Sequence, residues 1–202
     1  MRPRHLEQPC ALDGILGRMQ SGRDGVPQVR GFADDETPSH LLEAVRLFVV
    51  EAFDGRFSPE DWEHTAGGWR VIAFDGDDPV AHAAVVPRTL RVGQRAFEAG
   101  YVEGVATRAG QQRRGLGTAV MTEIADLVRT NFELGGLSTG RQSFYQALGW
   151  EPWRGPSYVE HEGELIRTPD EDDGLMVLRF GPSAEVELDA PIVCQRRSGD
   201  DW

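Results

Sequence analysis

Residues 101–118 constrain the fold of this chain more than any other stretch. Tyr101-Val102-Glu103-Gly104-Val105-Ala106-Thr107-Arg108 reads as a β-rich strand. It runs into a polar, glycine-bearing loop, Ala109-Gly110-Gln111-Gln112-Arg113-Arg114-Gly115, and then into a long helix. Leu116, Val120, Ile124, Leu127 and Val128 share one face of that helix at the helical period. The first N–H groups of such a helix have no partner inside it, and the helix dipole favours an anion there. Gly115 and Gly117 remove side chains where a phosphate would approach, and Arg113 and Arg114 add charged donors. The loop is therefore a candidate pyrophosphate cradle. It lacks the Gly-Lys-Ser/Thr ending of a Walker loop. It also lacks the first glycine that a dinucleotide fingerprint places directly after the first strand of a βαβ unit.

The rest of the chain supplies a sheet for that unit. Gln28 to Phe32 reads as a short strand. Pro38 and Ser39 open a helix whose apolar face is Leu41, Leu42, Val45, Leu47, Phe48, Val49 and Ala52. Ser58-Pro59-Glu60-Asp61 starts a second, short helix with Ser58 as cap. Trp69 to Phe74, Val80 to Val92 and Phe97 to Thr107 read as antiparallel strands separated by Asp75–Asp78 and Gly93-Gln94. Pro87 predicts an edge or a bulge within the second. Leu134 to Ser138 is a strand and Ser143 to Leu148 a short helix. Later strands are expected near 150–153, 158–160, 164–166, 175–180 and 192–195. This order predicts an α/β (α+β) domain over residues 26–202, with a central mixed, mostly antiparallel sheet and helices on both faces. Residues 1–25, rich in Gly and Pro, read as a loosely held N-terminal extension.

Composition narrows the function classes. A formal net charge of −12 argues against nucleic acid, whose phosphates need clustered Lys and Arg. It suits solubility or a cationic ligand. No apolar run is long enough to span a membrane, and no signal-peptide core is visible, so a cytoplasmic location is expected. Cys10 and Cys194 have no metal-like spacing, and no metal is expected.

The spacing Gln112-x-x-Gly115-x-Gly117 resembles the acetyl-CoA loop of the GCN5-related N-acetyltransferase superfamily. Further stretches resemble its aminoglycoside 2'-N-acetyltransferases: Asp61 to Thr65 with Gly67-Gly68, Ala81 to Val86, Tyr101 to Ala106, Leu134 to Ser138, and Gly149 to Pro156. So do Arg167 to Asp170 and the ending Gly199-Asp200-Asp201-Trp202. The likeness covers about residues 45–202.

The resemblance implies acetyl-CoA as cofactor, held by Val105, Ala106, Thr107, Gln112, Arg113, Arg114, Gly115, Leu116, Gly117 and Thr118. It implies that Glu103, acting through water, is the general base on the substrate amine, since an ammonium has no lone pair. Tyr145 is implied as the acid near the CoA sulfur, though a core aromatic beside Phe144 is the plain alternative. Val105 N–H is the implied donor to the thioester carbonyl. Asp61, Gly104, Ser138, Asp172, Asp200 and the Trp202 carboxylate are implied substrate contacts. The acidic run 170–173 aligns in more than one way. An aminoglycoside substrate and a homodimer are the expected partners.

Two departures stand out. Arg56 occupies a position where the family usually has aspartate, and the segment from Ser138 to Tyr145 is short and carries Arg141. An arginine repels a polyamine and attracts a carboxylate. This suits kasugamycin, with its carboxy-imino group, as well as the conventional 2'-amino antibiotics suit the rest of the pattern. A peptide-amine acetyltransferase and a non-catalytic antibiotic-binding protein are the competing classes.

Overall fold

The computed structural model describes residues 27–202. The N-terminal extension expected at 1–25, and Cys10 within it, lie outside the described residues. The elements are β1 (Gln28–Ala33), α1 (Ser39–Ala52), α2 (Pro59–Glu63), β2 (Trp69–Asp75), β3 (Asp78–Val92), β4 (Arg95–Thr107), α3 (Leu116–Asn131), β5 (Leu134–Ser138) and α4 (Gln142–Gln146). Then follow β6 (Glu151–Pro152), β7 (Ser157–His161), β8 (Glu164–Arg167), β9 (Leu175–Arg179) and β10 (Ile192–Gln195).

All the described strands join one sheet in the order β6-β9-β5-β4-β3-β10-β7-β8, with β2 attached to β3 and β1 to β2. Pairing is parallel at β4–β5 and β10–β7 and antiparallel elsewhere among the described residues. The β4–β5 pair is parallel because α3 carries the chain back across the sheet, as a parallel connection requires.

Strand alternation explains the two covered faces. Val71 and Ala73 of β2 pack with α3 through Leu116, Val120, Met121, Ile124 and Val128. Ile72 and Phe74, one residue out of phase, pack with Val45, Phe48 and Val49 of α1. Burying each such side chain contributes about 1.5–3 kcal/mol before entropy is counted. A third cluster, under the last residues of the chain, gathers Leu90, Phe97, Tyr101, Trp153 and Trp202.

Pro87 marks neither an edge nor a bulge. β3 is an interior strand, paired with β4 along its length, with Pro87 opposite Gly100. On its other side β3 pairs with β2 only up to Val85 and with β10 only from Leu90. Pro87 therefore sits in a gap where no partner strand needs its missing N–H. The bulge lies across the ladder, on β4: His82 pairs with Ala106 and Ala84 with Glu103, so Ala83 faces both Gly104 and Val105. Two other elements are shorter than the sequence suggests. The strand expected at 150–153 is only Glu151–Pro152, because Trp150 turns into the core, and α4 begins and ends earlier than 143–148.

Candidate active site

The site lies where β4 and β5 part. Their pairing ends at Tyr101 opposite Gly136, so residues 102–107 are not paired with β5. The bulge falls within this freed stretch. Gly104 has φ +59°, a left-handed conformation that costs glycine little. The extra residue resets the alternation: Val105 packs toward α3, and Ala106 packs toward α1. Glu103 keeps the face it shares with Tyr101.

The loop after β4 is built for an anion. Gly110, Arg113 and Gly115 all have positive φ (81°, 62° and 79°), and such residues turn successive N–H groups to one side. Gly115 is the N-cap of α3 and supplies no side-chain cap, so the first turn of that helix keeps its donors free of side-chain partners. Gln112, Arg113, Arg114 and Thr118 are exposed around it, whereas Leu116 anchors the turn in the core. Arg114 contacts Gln111 and lies 3.8 Å from Asp75, so Arg113 is the less committed cation. Gly117 faces Phe144 and the Thr107 hydroxyl across ordinary contact distance. These residues fit the pyrophosphate and pantetheine of acetyl-CoA.

Glu103 is the best candidate base. Its side chain is 15% exposed, and Arg197 Nη1 donates to its Oε1 at 2.7 Å. Burial lifts its carboxyl above the ordinary range, with a further push from Asp200, while Arg197 and Arg88 pull it back. Burial holds the Tyr145 hydroxyl up at about 12, against a lowering by Thr139, so it is protonated at neutral pH. The Tyr145 ring packs edge-on to Phe144 and Trp150 in the core, so packing accounts for its burial.

The last residues form a strap rather than a loose tail. Trp202 is buried, and its Nε1 donates to Thr168 Oγ1 at 3.2 Å. Arg88 Nη2 donates to Asp201 O, Arg197 N–H to Asp201 Oδ1, and Trp202 N–H to Asp200 Oδ1. On the far side His64 Nε2 bonds Ser198 O at 2.8 Å, which ties α2 to the strap. Asp61 spends one carboxylate oxygen on Ser58 N–H in a capping box that starts α2.

Asp172 does not serve as a free substrate carboxylate. Both its oxygens are taken by Arg167, and one also accepts from Ser157 Oγ and N–H. Those bonds hold its carboxyl below the usual range, Arg167 first among them. Its neighbour Glu171 faces the site instead. It lies 3.4 Å from Ser138 Oγ, and burial with the nearby Asp200 raises its carboxyl. Arg56 sits outside this cluster, 82% exposed and 3.6 Å from Asp54. Its neighbour Phe57 reaches Gly104, while the Arg56 guanidinium itself donates to Phe53 O. Sequence reasoning missed Arg197, Glu171 and His82. Only Glu171 carried a signal, in the ambiguous acidic run.

The GNAT acetyltransferase domain family matches residues 35–153. The chain is 43% identical, over 164 residues, to an aminoglycoside 2'-N-acetyltransferase of Mycolicibacterium fortuitum, covering 79% of this chain and 84% of that one. In fold it is similar to the GNAT N-acetyltransferase YhbS of Escherichia coli, solved with CoA: TM-score 0.61, 13% identity, 86% of this chain and 93% of that one. It is also similar to a GNAT acetyltransferase of Brucella melitensis solved with acetyl-CoA: TM-score 0.55, 14% identity, 82% of this chain and 94% of that one. The chain belongs to the GNAT acetyltransferases, and within them to the aminoglycoside 2'-N-acetyltransferase family. It is an acetyltransferase, and its acetyl donor is acetyl-CoA. Among the described residues no helix is long and apolar enough to cross a membrane.

Proposed function

We propose that this enzyme acetylates the 2'-amine of an aminoglycoside by direct transfer. The observation that carries the reading is the buried Glu103 beside the parted strands, with Asp200 and Glu171 close enough to raise or be raised in turn. Such a cleft holds an ammonium by its acids and presents one carboxylate to take its proton. Acetyl-CoA supplies the activated acetyl group as a thioester. Val105 N–H, on the stretch of β4 that β5 leaves unpaired, would donate to that carbonyl, and the Tyr145 hydroxyl holds a proton for the departing sulfur. Glu103 Oε atoms accept the proton of the amine through water. No enzyme nucleophile is required: Cys194 is buried, and burial raises its thiol to about 11.

For the acceptor, two cations favour an aminoglycoside with an acidic substituent. Arg56 is exposed beside Phe57, whose ring reaches Gly104, and Arg197 lies beside Glu103. Kasugamycin has that chemistry. A cytoplasmic location belongs to the same reading, because acetyl-CoA is available there. So does a homodimer, which sedimentation would check. Turnover of acetyl-CoA with kasugamycin beside gentamicin and tobramycin tests the proposal. Turnover of kasugamycin supports the acidic-substituent reading, and turnover of only the latter pair leaves a conventional 2'-acetyltransferase. A glutamine at 103 is expected to lower kcat/KM on the order of 10²–10⁴-fold.

A further inference from the structure

β3 carries one buried imidazole, His82, that the reaction outlined above does not use. It is fully buried, and its Nδ1 lies 2.8 Å from Gly104 O. A carbonyl only accepts, so Nδ1 carries the hydrogen and donates it. On the other side of the ring, Arg70 Nη1 lies 3.4 Å from Nε2. A guanidinium only donates, so Nε2 is bare and the ring is neutral with one tautomer. Burial, with Arg70 adding to it, pushes the imidazole down to about 3, in keeping with that state.

Arg70 is itself fixed. It is 2% exposed, bonds Asp34 Oδ1 at 2.6 Å and Thr65 Oγ1 at 3.0 Å, and lies over the Trp62 ring at 4.7 Å. The Thr65 methyl in turn lies against Gly104, 3.0 Å from where a Cβ would stand. Asp34, just after β1, and Thr65 both bond Arg70 at the start of β2, and Arg70 and His82 carry the chain of bonds on to one carbonyl of the bulge. A core strand position needs no such chain for stability, since apolar replacement of a buried polar group together with its partners is often neutral.

The consequence follows from peptide geometry. No cis bond occurs among the described residues, so the Gly104 carbonyl and the Val105 N–H, in one trans plane, point opposite ways. Holding the carbonyl toward the His82 ring turns the Val105 N–H away from that ring, on the stretch of β4 that β5 no longer pairs. We propose that His82 is a positioning residue: by bonding the Gly104 carbonyl it aims the Val105 N–H at the acetyl carbonyl. This rests on the assignment of Val105 as donor above.

The test uses the whole enzyme with acetyl-CoA labelled with ¹³C at the carbonyl and no acceptor amine. Difference infrared reads the carbonyl stretch, which falls when a donor polarises it. His82→Asn keeps an N–H at the Nδ1 position, whereas His82→Gln and His82→Leu do not. Wild type and His82→Asn are expected to lower the stretch alike. The Gln and Leu variants leave it near its solution value, with kcat down roughly tenfold or more and the aminoglycoside KM within about twofold. Circular dichroism and CoA binding identify folded variants, and Asn against Gln compares two polar replacements should Leu unfold. A folded Gln or Leu variant that keeps the full shift and kcat overturns the inference alone, as does an Asn variant that loses both. A wild type without any shift overturns the assignment of Val105, and the inference with it.

Discussion

Arg197 Nη1 donates to Glu103 Oε1 across 94 positions of sequence, and the two side chains are only 17% and 15% exposed. As the proposed base, Glu103 would work against a bound cation. Arg197 lowers its carboxyl while burial raises it more. An arriving ammonium meets a carboxylate that is already desolvated and already held.

Removing that cation predicts a change in pH dependence. In Arg197→Gln the lowering contribution goes and burial remains, so the Glu103 carboxyl rises further. A base must be deprotonated, so the acidic limb of kcat/KM moves to higher pH. A pH profile of kcat/KM for the amine checks it. An unmoved limb means that Arg197 does not govern the base.

Tyr145→Phe separates packing from proton transfer. The ring is buried against Phe144 and Trp150, so the melting temperature is expected to hold within a few degrees. The hydroxyl is lost, so kcat falls about 10–100-fold at constant KM. Because the wild-type hydroxyl titrates only near about 12, it contributes no loss of activity between pH 7 and 10.

Asp172 and Glu171 are adjacent yet predict opposite phenotypes. Asp172→Asn breaks the clamp on Arg167 and Ser157 and costs about 1 kcal/mol, a modest figure because the pair is partly exposed. The folded-state carboxyl of Asp172 is lowered, so its contribution is present above its unfolded pKa and fades as pH falls through the folded one. Thermal melts at pH 7 and pH 3 show this as a gap between wild type and variant that closes in acid. Glu171→Gln leaves the melt in place and raises the aminoglycoside KM several-fold.

Gly115 tests the phosphate cradle. Its φ of +79° strains any L side chain, by about 1–2 kcal/mol. Gly115→Val is expected to raise the acetyl-CoA KM about tenfold while the KM for the amine stays put. Isothermal titration with CoA reads the first effect directly.

The parts of this molecule that were legible in sequence are local. The strand, loop and helix of 101–118 announce themselves by glycine and by a change of period, and Ser58 with Asp61 announces its own cap. What stayed hidden depends on partners far along the chain. Pro87 reads as a defect in β3 because nothing nearby says that β3 pairs with β2 only up to Val85 and with β10 only from Leu90. The bulge is at Gly104, where two residues face one, and the count shows only once the strands are paired. In the run 170–173, every acid has the same local claim on a substrate amine. Arg167 sets Asp172 apart by bonding it.

The most direct measurement is the position of the new acetyl group. Wild-type enzyme, acetyl-CoA and each of kasugamycin, gentamicin and tobramycin are incubated, and the products are read by mass spectrometry and two-dimensional NMR. The account predicts a gain of one acetyl group on at least one of them, on the 2'-nitrogen alone, and loss of that product with Glu103→Gln. Acetylation at another amine, or no acetylated antibiotic from a folded enzyme that binds CoA, would contradict it.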